Sequence, residues 1–188
     1  ITTGTAQKEY DGNPLYCTDY TLSGATLAEG YTLEVDEKYS VTKATAAGGE
    51  DNLTTFKVMY GGEVSENYII SYAANCGKLI ITKREITIAT DSATKDYDGS
   101  ALTAGYTATY TGAGTFTQAF ADGDIMTVTE DTEITDAGNT LNEIKYTIVG
   151  ADGKDAKNNY AITYTRGTLK INPLAVTVTL KGGLEVVY

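Results

Sequence analysis

An all-β protein of two small β-sandwiches in tandem is what this sequence predicts, and three observations carry the expectation. Strand formers are abundant: the 188 residues include 15 Tyr alongside many Thr, Val and Ile, side chains that pack well on a pleated surface. No stretch of about 11 residues or more repeats apolar positions at i, i+3, i+4 and i+7, so no amphipathic helix is expected, and the 20 Gly supply turns instead. Finally, the chain repeats itself.

The duplication shows at three landmarks in the same order. Gln7-Lys8-Glu9-Tyr10-Asp11-Gly12-Asn13-Pro14-Leu15 matches Thr94-Lys95-Asp96-Tyr97-Asp98-Gly99-Ser100-Ala101-Leu102, 87 residues later. Asn67-Tyr68-Ile69-Ile70-Ser71-Tyr72 matches Asn159-Tyr160-Ala161-Ile162-Thr163-Tyr164 at a spacing of 92, and Gly77-Lys78-Leu79-Ile80-Ile81 matches Gly167-Thr168-Leu169-Lys170-Ile171 at 90. The spacings drift because loops change length while strands keep their places. Lys83-Arg84-Glu85-Ile86-Thr87-Ile88 also aligns with Pro173-Leu174-Ala175-Val176-Thr177-Val178, and Ile1 aligns near Ile88. The expected organisation is a first repeat at 1–84, opening inside its first strand, and a second at 85–173. Residues 174–188 would begin a truncated third repeat or form a final strand, with Tyr188 close to the place of a third Tyr-Asp-Gly. The stretch reads as a slice of a longer array.

Within the second copy, Glu85–Thr90 alternates and is the expected first strand. Ser92 to Ser100 reads as a turn-rich crossing. Tyr106–Tyr110, Ile125–Thr129 and Glu143–Val149 follow as strands. A closing hairpin is expected from Tyr160–Thr165, a turn at Arg166-Gly167, and Thr168–Ile171, with the same hairpin and a longer turn at 73–77 in the first copy. Six or seven short strands in about 87 residues point to an Ig-like sandwich. The alternative is a β-grasp sheet in which Phe120-Ala121-Asp122-Gly123-Asp124 is a reduced helix. Junctions without Gly or Ser-rich spacers, and Pro173 at the second, predict a semi-rigid end-to-end rod.

Charge narrows the functions. Fourteen Lys and Arg against 25 Asp and Glu give a net charge of −11, a field that repels phosphate backbones and anionic membranes. No run approaches the ~20 apolar residues of a spanning helix. Ile1-Thr2-Thr3 lacks the basic and apolar regions of a signal peptide, so any signal or anchor is expected outside this stretch. The absence of His removes the commonest general base and transition-metal ligand, which excludes Ser-His-Asp and Cys-His sites within the chain and leaves too few ligands for zinc.

Several residues could still carry chemistry. Asp122 and Asp124, or Asp152 and Asp155, are carboxylate pairs of the kind that hydrolyse glycosides, but they sit in turns without counterparts in the first copy. The same loops, Asp122-Gly123-Asp124 and Asp152-Gly153-Lys154-Asp155, offer hard oxygen ligands for calcium, without EF-hand spacing and with Lys154 adding an unfavourable charge. Tyr10-Asp11-Gly12 and Tyr97-Asp98-Gly99 recur, and a repeated turn serves folding: Asp accepts from its own turn, Gly takes positive φ, and Tyr plugs the sandwich edge. Exposed Tyr could stack on sugars. Cys17 and Cys76, both in the first copy, either form a disulfide that closes a long loop, with ~4 kcal/mol of chain-entropy stabilisation, or stay as thiols. No residue is assigned a catalytic, cofactor-binding or metal-binding role, and the expected cofactor set is empty.

The ordered elements resemble the YDG and MBG repeats of bacterial surface proteins. In the second copy they are Lys95-Asp96-Tyr97-Asp98-Gly99, Asp122-Gly123-Asp124, Asp136-Ala137-Gly138, Gly150-Ala151-Asp152, Asn159-Tyr160 and Gly167-Thr168-Leu169-Lys170-Ile171-Asn172-Pro173. The first copy departs in its middle, at Ala46-Ala47-Gly48-Gly49. The resemblance implies large secreted adhesin-like proteins whose stalks these modules build, at the extracellular cell surface, with no catalytic residues. Its partners would be neighbouring repeats of the same polypeptide and, for an adhesin module, host glycan, mucin or protein. Surface proteins of this kind also suggest Lys–Asn isopeptide bonds, for which Lys95 with Asn159 and Lys8 with Asn67 are the pairs to test.

Overall fold

The computed structural model describes residues 1–24, 26–179 and 181–182, and these are all-β. The strands are β1 (Thr2–Thr3), β2 (Ala6–Glu9), β3 (Tyr20–Thr21), β4 (Tyr31–Val35), β5 (Glu50–Asp51), β6 (Phe56–Tyr60), β7 (Glu63–Val64) and β8 (Lys78–Thr82). They continue as β9 (Arg84–Thr90), β10 (Ala93–Asp96), β11 (Tyr106–Tyr110), β12 (Ile125–Asp131), β13 (Gly138–Asn142), β14 (Ile144–Val149), β15 (Tyr160–Thr165) and β16 (Gly167–Asn172). The only helical element among the described residues is a single 3-10 turn at Lys157–Asn159, and no helix there is long and apolar enough to cross a membrane.

Period-2 patterning explains the longer strands. Arg84, Ile86, Ile88 and Thr90 of β9 are buried while Glu85 is exposed, and β16 buries Gly167, Leu169 and Ile171 in alternation with Thr168 and Lys170.

The chain forms two compact units, each assembled from three stretches. Ile1–Ile88, Ala108–Val128 and Tyr146–Tyr164 make the first; Ala89–Thr107, Thr129–Lys145 and the described residues from Thr165 on make the second. In the first unit β8 is the centre of a three-stranded sheet. It pairs in parallel with β2, setting Ala6 opposite Leu79 and Lys8 opposite Ile81, and antiparallel with β5. A second sheet of this unit has the order β4-β6-β7, and β1 pairs with β3. In the second unit β16 is the centre, parallel to β10 with Ala93 opposite Leu169 and Lys95 opposite Ile171, and antiparallel to β13. Leu79, Ile81, Leu169 and Ile171 are the buried anchors of these sheets. The remaining sheets have the orders β11-β9-β15 and β12-β14, and none of the sheets closes on itself.

The two sheets centred on β8 and β16 are tied by the same three side positions. In the first unit Thr3 Oγ1 donates to the Asn52 carbonyl at 2.9 Å, the Gly77 N–H donates to Thr3 Oγ1 at 3.1 Å, and the Asn52 amide donates to the carbonyls of Gly4 and Cys17, each at 2.9 Å. In the second unit Thr90 Oγ1 donates to the Asn142 carbonyl at 2.6 Å, the Gly167 N–H to Thr90 Oγ1 at 2.9 Å, and the Asn142 amide to Asp91 and Ala104 at 2.9 and 3.3 Å. Both Asn are buried, where an unmet amide is costly.

Several sequence expectations are corrected. The closing hairpin does not form: β15 hydrogen-bonds β9, whereas β16 lies between β10 and β13, so the chain changes sheets at Arg166. Alternation alone cannot reveal this, because it reports which face is buried and not which neighbour is paired. The expected crossing at Ser92 to Ser100 contains β10, a parallel strand. Asn67 to Tyr72 is not a strand, although its match at β15 is; its hydrogen bonds to Ile1 come only from the segment's end, where Ser71 accepts from the Ile1 amine and the following Ala73 donates to the Ile1 carbonyl. No helix occupies Phe120 to Asp124, which is a turn with Gly123 at φ +81°, so the reduced-helix alternative falls. Residues 174–179 and 181–182 carry no strand, and Tyr188 lies outside the described residues.

Candidate functional site

One concave site of the first unit gathers residues distant in sequence. A pocket of about 230 Å³ is lined by Tyr10, Lys43, Asp124, Gly150, Asp152 and Asn159, among others. Tyr10 arrives from the end of β2, Asp124 from the turn before β12, and Asn159 with Tyr160 from the 3-10 turn that starts β15. The Asp124 carboxylate accepts from Tyr160 at 2.6 Å and from Tyr10 at 3.1 Å. The two rings meet edge to face, 5.6 Å between centroids, and Phe120 packs on Tyr160 in the same manner. Tyr160 also accepts from the Ala121 N–H, and Asn159 Oδ1 accepts from the Ala44 N–H.

Glycines make this approach possible. A side chain at Gly123 would stand 2.8 Å from the Ala151 Cβ, and one at Gly12 would meet the Asp122 carbonyl at 3.0 Å. Both also have positive φ.

The electrostatics favour a structural knot over a reactive one. Burial, and then the charge of Asp124, push the Tyr10 phenol up to about 12. Burial and the hydrogen bond to Asp124 push Tyr160 higher still. Both phenols are therefore neutral donors at physiological pH, and neither is an activated base or nucleophile.

A buried arginine lies next to this knot. Arg84 donates from Nε to the Ala119 carbonyl at 2.9 Å, from Nη2 to Gln118 at 2.6 Å and from Nη1 to Tyr10 at 3.4 Å. Its guanidinium carbon sits 3.8 Å from the centroid of the Phe116 ring. Arg84 thus clamps the loop after β11 to the end of β2.

The carboxylates singled out from sequence are divided. Asp124 enters the tyrosine knot, whereas Asp122 is exposed. Asp152 accepts from the Lys154 N–H and pairs with Lys43 at 3.7 Å, and Asp155 accepts from the Lys157 N–H. Among the described residues no group of three or more Cys, Asp or Glu could hold a metal ion.

The two Tyr-Asp-Gly turns have one construction. Asp11 accepts from Lys8 Nζ at 2.5 Å and from the Asn13 N–H at 2.9 Å, and Asp98 accepts from Lys95 Nζ at 2.6 Å and from the Ser100 N–H at 2.9 Å. Gly12 and Gly99 take φ +84° and +78°. The tyrosines differ: Tyr10 is buried and Tyr97 exposed.

Cys17 and Cys76 are free thiols, Cys17 buried. Burial and then Asp51 push the Cys76 thiol up, which makes it a poor nucleophile. The residues of the two isopeptide pairs have separate partners: Lys8 and Lys95 hold their own turns, Asn67 donates to the Tyr31 hydroxyl, and Asn159 accepts from Ala44.

Sequence reasoning missed Asn52, Asn142 and Arg84. The first two recur at a spacing of 90, the spacing of Gly77 and Gly167, and that recurrence was the available signal. No family model, curated protein or solved structure matches this chain.

Proposed function

We propose that this chain is a non-catalytic stalk segment of a secreted bacterial surface protein, built from tandem Ig-like sandwich repeats that hold other domains away from the cell. One observation carries the reading. The sheets centred on β8 and β16 share strand order, register and the Thr–Asn–Gly hydrogen bonds, at the spacings at which the sequence repeats. What recurs is the apparatus of folding, and what does not recur includes Asp124, Asp152, Cys17 and Cys76. A spacer needs the former and no reactive group. The stalk binds no metal and takes no cofactor: its melting temperature stays constant between millimolar calcium and chelator.

A second reading has its own observation. Tyr31 and Tyr60 stack at 4.5 Å with Tyr68 edge-on at 5.2 Å, and Tyr60 is exposed, an aromatic surface of the sort on which sugars stack. Glycan-array and mucin-binding assays separate the two. A stalk segment stays at background throughout, whereas saturable binding lost on Tyr60→Ala would replace the stalk reading with that of an adhesin module.

A further inference from the structure

We infer that the Tyr10-Asp11-Gly12 turn of the first copy is a docking plug for the copy that follows it, and that this plug joins the first copy and part of the second into one cooperative folding unit. The sequence repeats with its boundary after residue 84, and the boundary of cooperative folding lies inside the second copy. The joint is the same whether the chain serves as a spacer or as an adhesin.

The compact units already divide in this way. The first holds the whole of the first copy together with Ala108–Val128 and Tyr146–Tyr164 of the second. Ala89–Thr107, Thr129–Lys145 and the described residues from Thr165 on belong to the other.

Inside the first unit, hydrogen bonds pass from copy to copy. Tyr10 donates to Asp124 at 3.1 Å, the Ala44 N–H donates to Asn159 Oδ1 at 3.0 Å, and Tyr110 donates to Glu9 at 2.7 Å. Tyr10 and Asn159 are 5% and 4% exposed, so two of these bonds involve a buried group that water serves poorly once the partner is gone. Arg84, at the repeat boundary, binds the Tyr10 carbonyl on one side and the Gln118 and Ala119 carbonyls on the other. The 230 Å³ pocket is lined from both copies, by Tyr10, Gly12 and Lys43 of the first and by Asp124, Asp152 and Asn159 of the second.

Asp124 serves the joint and not the turn that carries it. The first copy builds the same turn at Ala28 to Tyr31. There the Tyr31 N–H donates to the Ala28 carbonyl at 3.1 Å, as the Asp124 N–H does to that of Ala121. Gly30 and Gly123 take φ +85° and +81°, and the Ala28 N–H reaches the Tyr68 hydroxyl as the Ala121 N–H reaches that of Tyr160, each at 2.9 Å. Tyr31 stands where Asp124 stands, so the turn needs no carboxylate. What Asp124 adds is a charged acceptor shared by Tyr160 of its own copy and Tyr10 of the copy before it.

Native-state hydrogen exchange on the 188-residue chain reports which segments open together. In sub-denaturing urea the amides of 108–128 and 146–164 should exchange as one group with those of the first copy. The amides of 89–107, 129–145 and 165–172 should form a second group. Val58 is buried in β6 of the first copy, outside the joint. Val58→Ala should speed exchange in the first copy about tenfold through lost packing, and by the same factor in 108–128 and 146–164. The second group should change less than about twofold. On an Asp124→Ala background the factor passed to 108–128 and 146–164 should fall below that of the first copy. A second copy that ignores Val58→Ala throughout would show that the copies fold separately, and one that responds throughout would show a single unit. Transmission left whole by Asp124→Ala would show that the plug does not carry it. Each of these results would overturn the inference.

Discussion

Tyr160 gives its hydroxyl hydrogen to Asp124 at 2.6 Å, across 36 residues of sequence and from a nearly fully buried ring. The same oxygen receives the Ala121 N–H, so one phenol satisfies both a carboxylate and a backbone donor. Tyr160→Phe should therefore destabilise the protein by about 1–3 kcal/mol, the cost of leaving buried groups unpaired. Tyr10→Phe removes the longer bond to Asp124 and should cost less. Urea denaturation of both variants checks the order, and equal or negligible losses would dismiss the knot as a stabilising feature.

The same phenols set the alkaline limit. Both have folded-state pKa values raised above the ordinary value of 10, Tyr10 to about 12. Their contribution is fully present below pH 10, where both states hold the proton. Above it the unfolded chain loses protons that the folded chain keeps, so stability falls as pH rises towards 12. The urea midpoint should be flat from about pH 7 to 9 and decline beyond about pH 10. Acid acts on other groups. Lys95 and the Ser100 N–H hold Asp98 well below the usual carboxylate range, and for Asp11 the Lys8 and Asn13 bonds outweigh a burial effect of opposite sign. Their stabilisation is present above the unfolded carboxylate value and is lost as pH falls below about 4.

Two glycines should be irreplaceable for steric reasons. A Cβ at Gly77 would stand 2.1 Å from the Gly4 carbonyl oxygen, and one at Gly167 would stand 2.2 Å from that of Asp91. Neither position has a positive φ, so the obstacle is backbone contact and not torsion. Gly77→Ala and Gly167→Ala should each cost about 3 kcal/mol or more. Gly99→Ala, where φ is +78° but the space is open, should cost only about 1 kcal/mol. Thermal melts that rank Gly99→Ala worst would contradict this.

Arg84 should resist even its nearest substitute. Its three donors face three carbonyls in a fixed fork and its plane meets Phe116, a geometry that an ammonium cannot reproduce. Arg84→Lys should lose about 2 kcal/mol in equilibrium unfolding. A loss under about 0.5 kcal/mol would show that the loop after β11 holds itself.

The all-β class was legible in the sequence because period-2 burial and turn residues are local properties. Strands β11, β9 and β14 lie within a residue of the alternating runs that foretold them. Pairing was not legible. The partners of β15 and β16 depend on long-range contacts, and two adjacent alternating runs look like a hairpin whether or not they pair. The parallel strands β2 and β10 were hidden in the Lys-x-Tyr-Asp-Gly motif, where the turn residues dominated the reading. The Asp124 knot was half visible: Tyr10 and Asp124 were each singled out, but nothing in either sequence neighbourhood says that a turn 114 residues away supplies the acceptor.

The parallel pairing of β2 with β8 has a mechanical consequence. The chain enters this pair at Ala6 and leaves it at Thr82, and in a parallel pair those two points lie at opposite ends of the ladder. Tension applied through the chain therefore loads the rungs from Ala6–Leu79 to Glu9–Thr82 together, in shear, and does not unzip them one at a time. β10 and β16 are loaded likewise between Ala93 and Asn172. Each sheet is arranged to yield all at once, at a higher force than peeling would need.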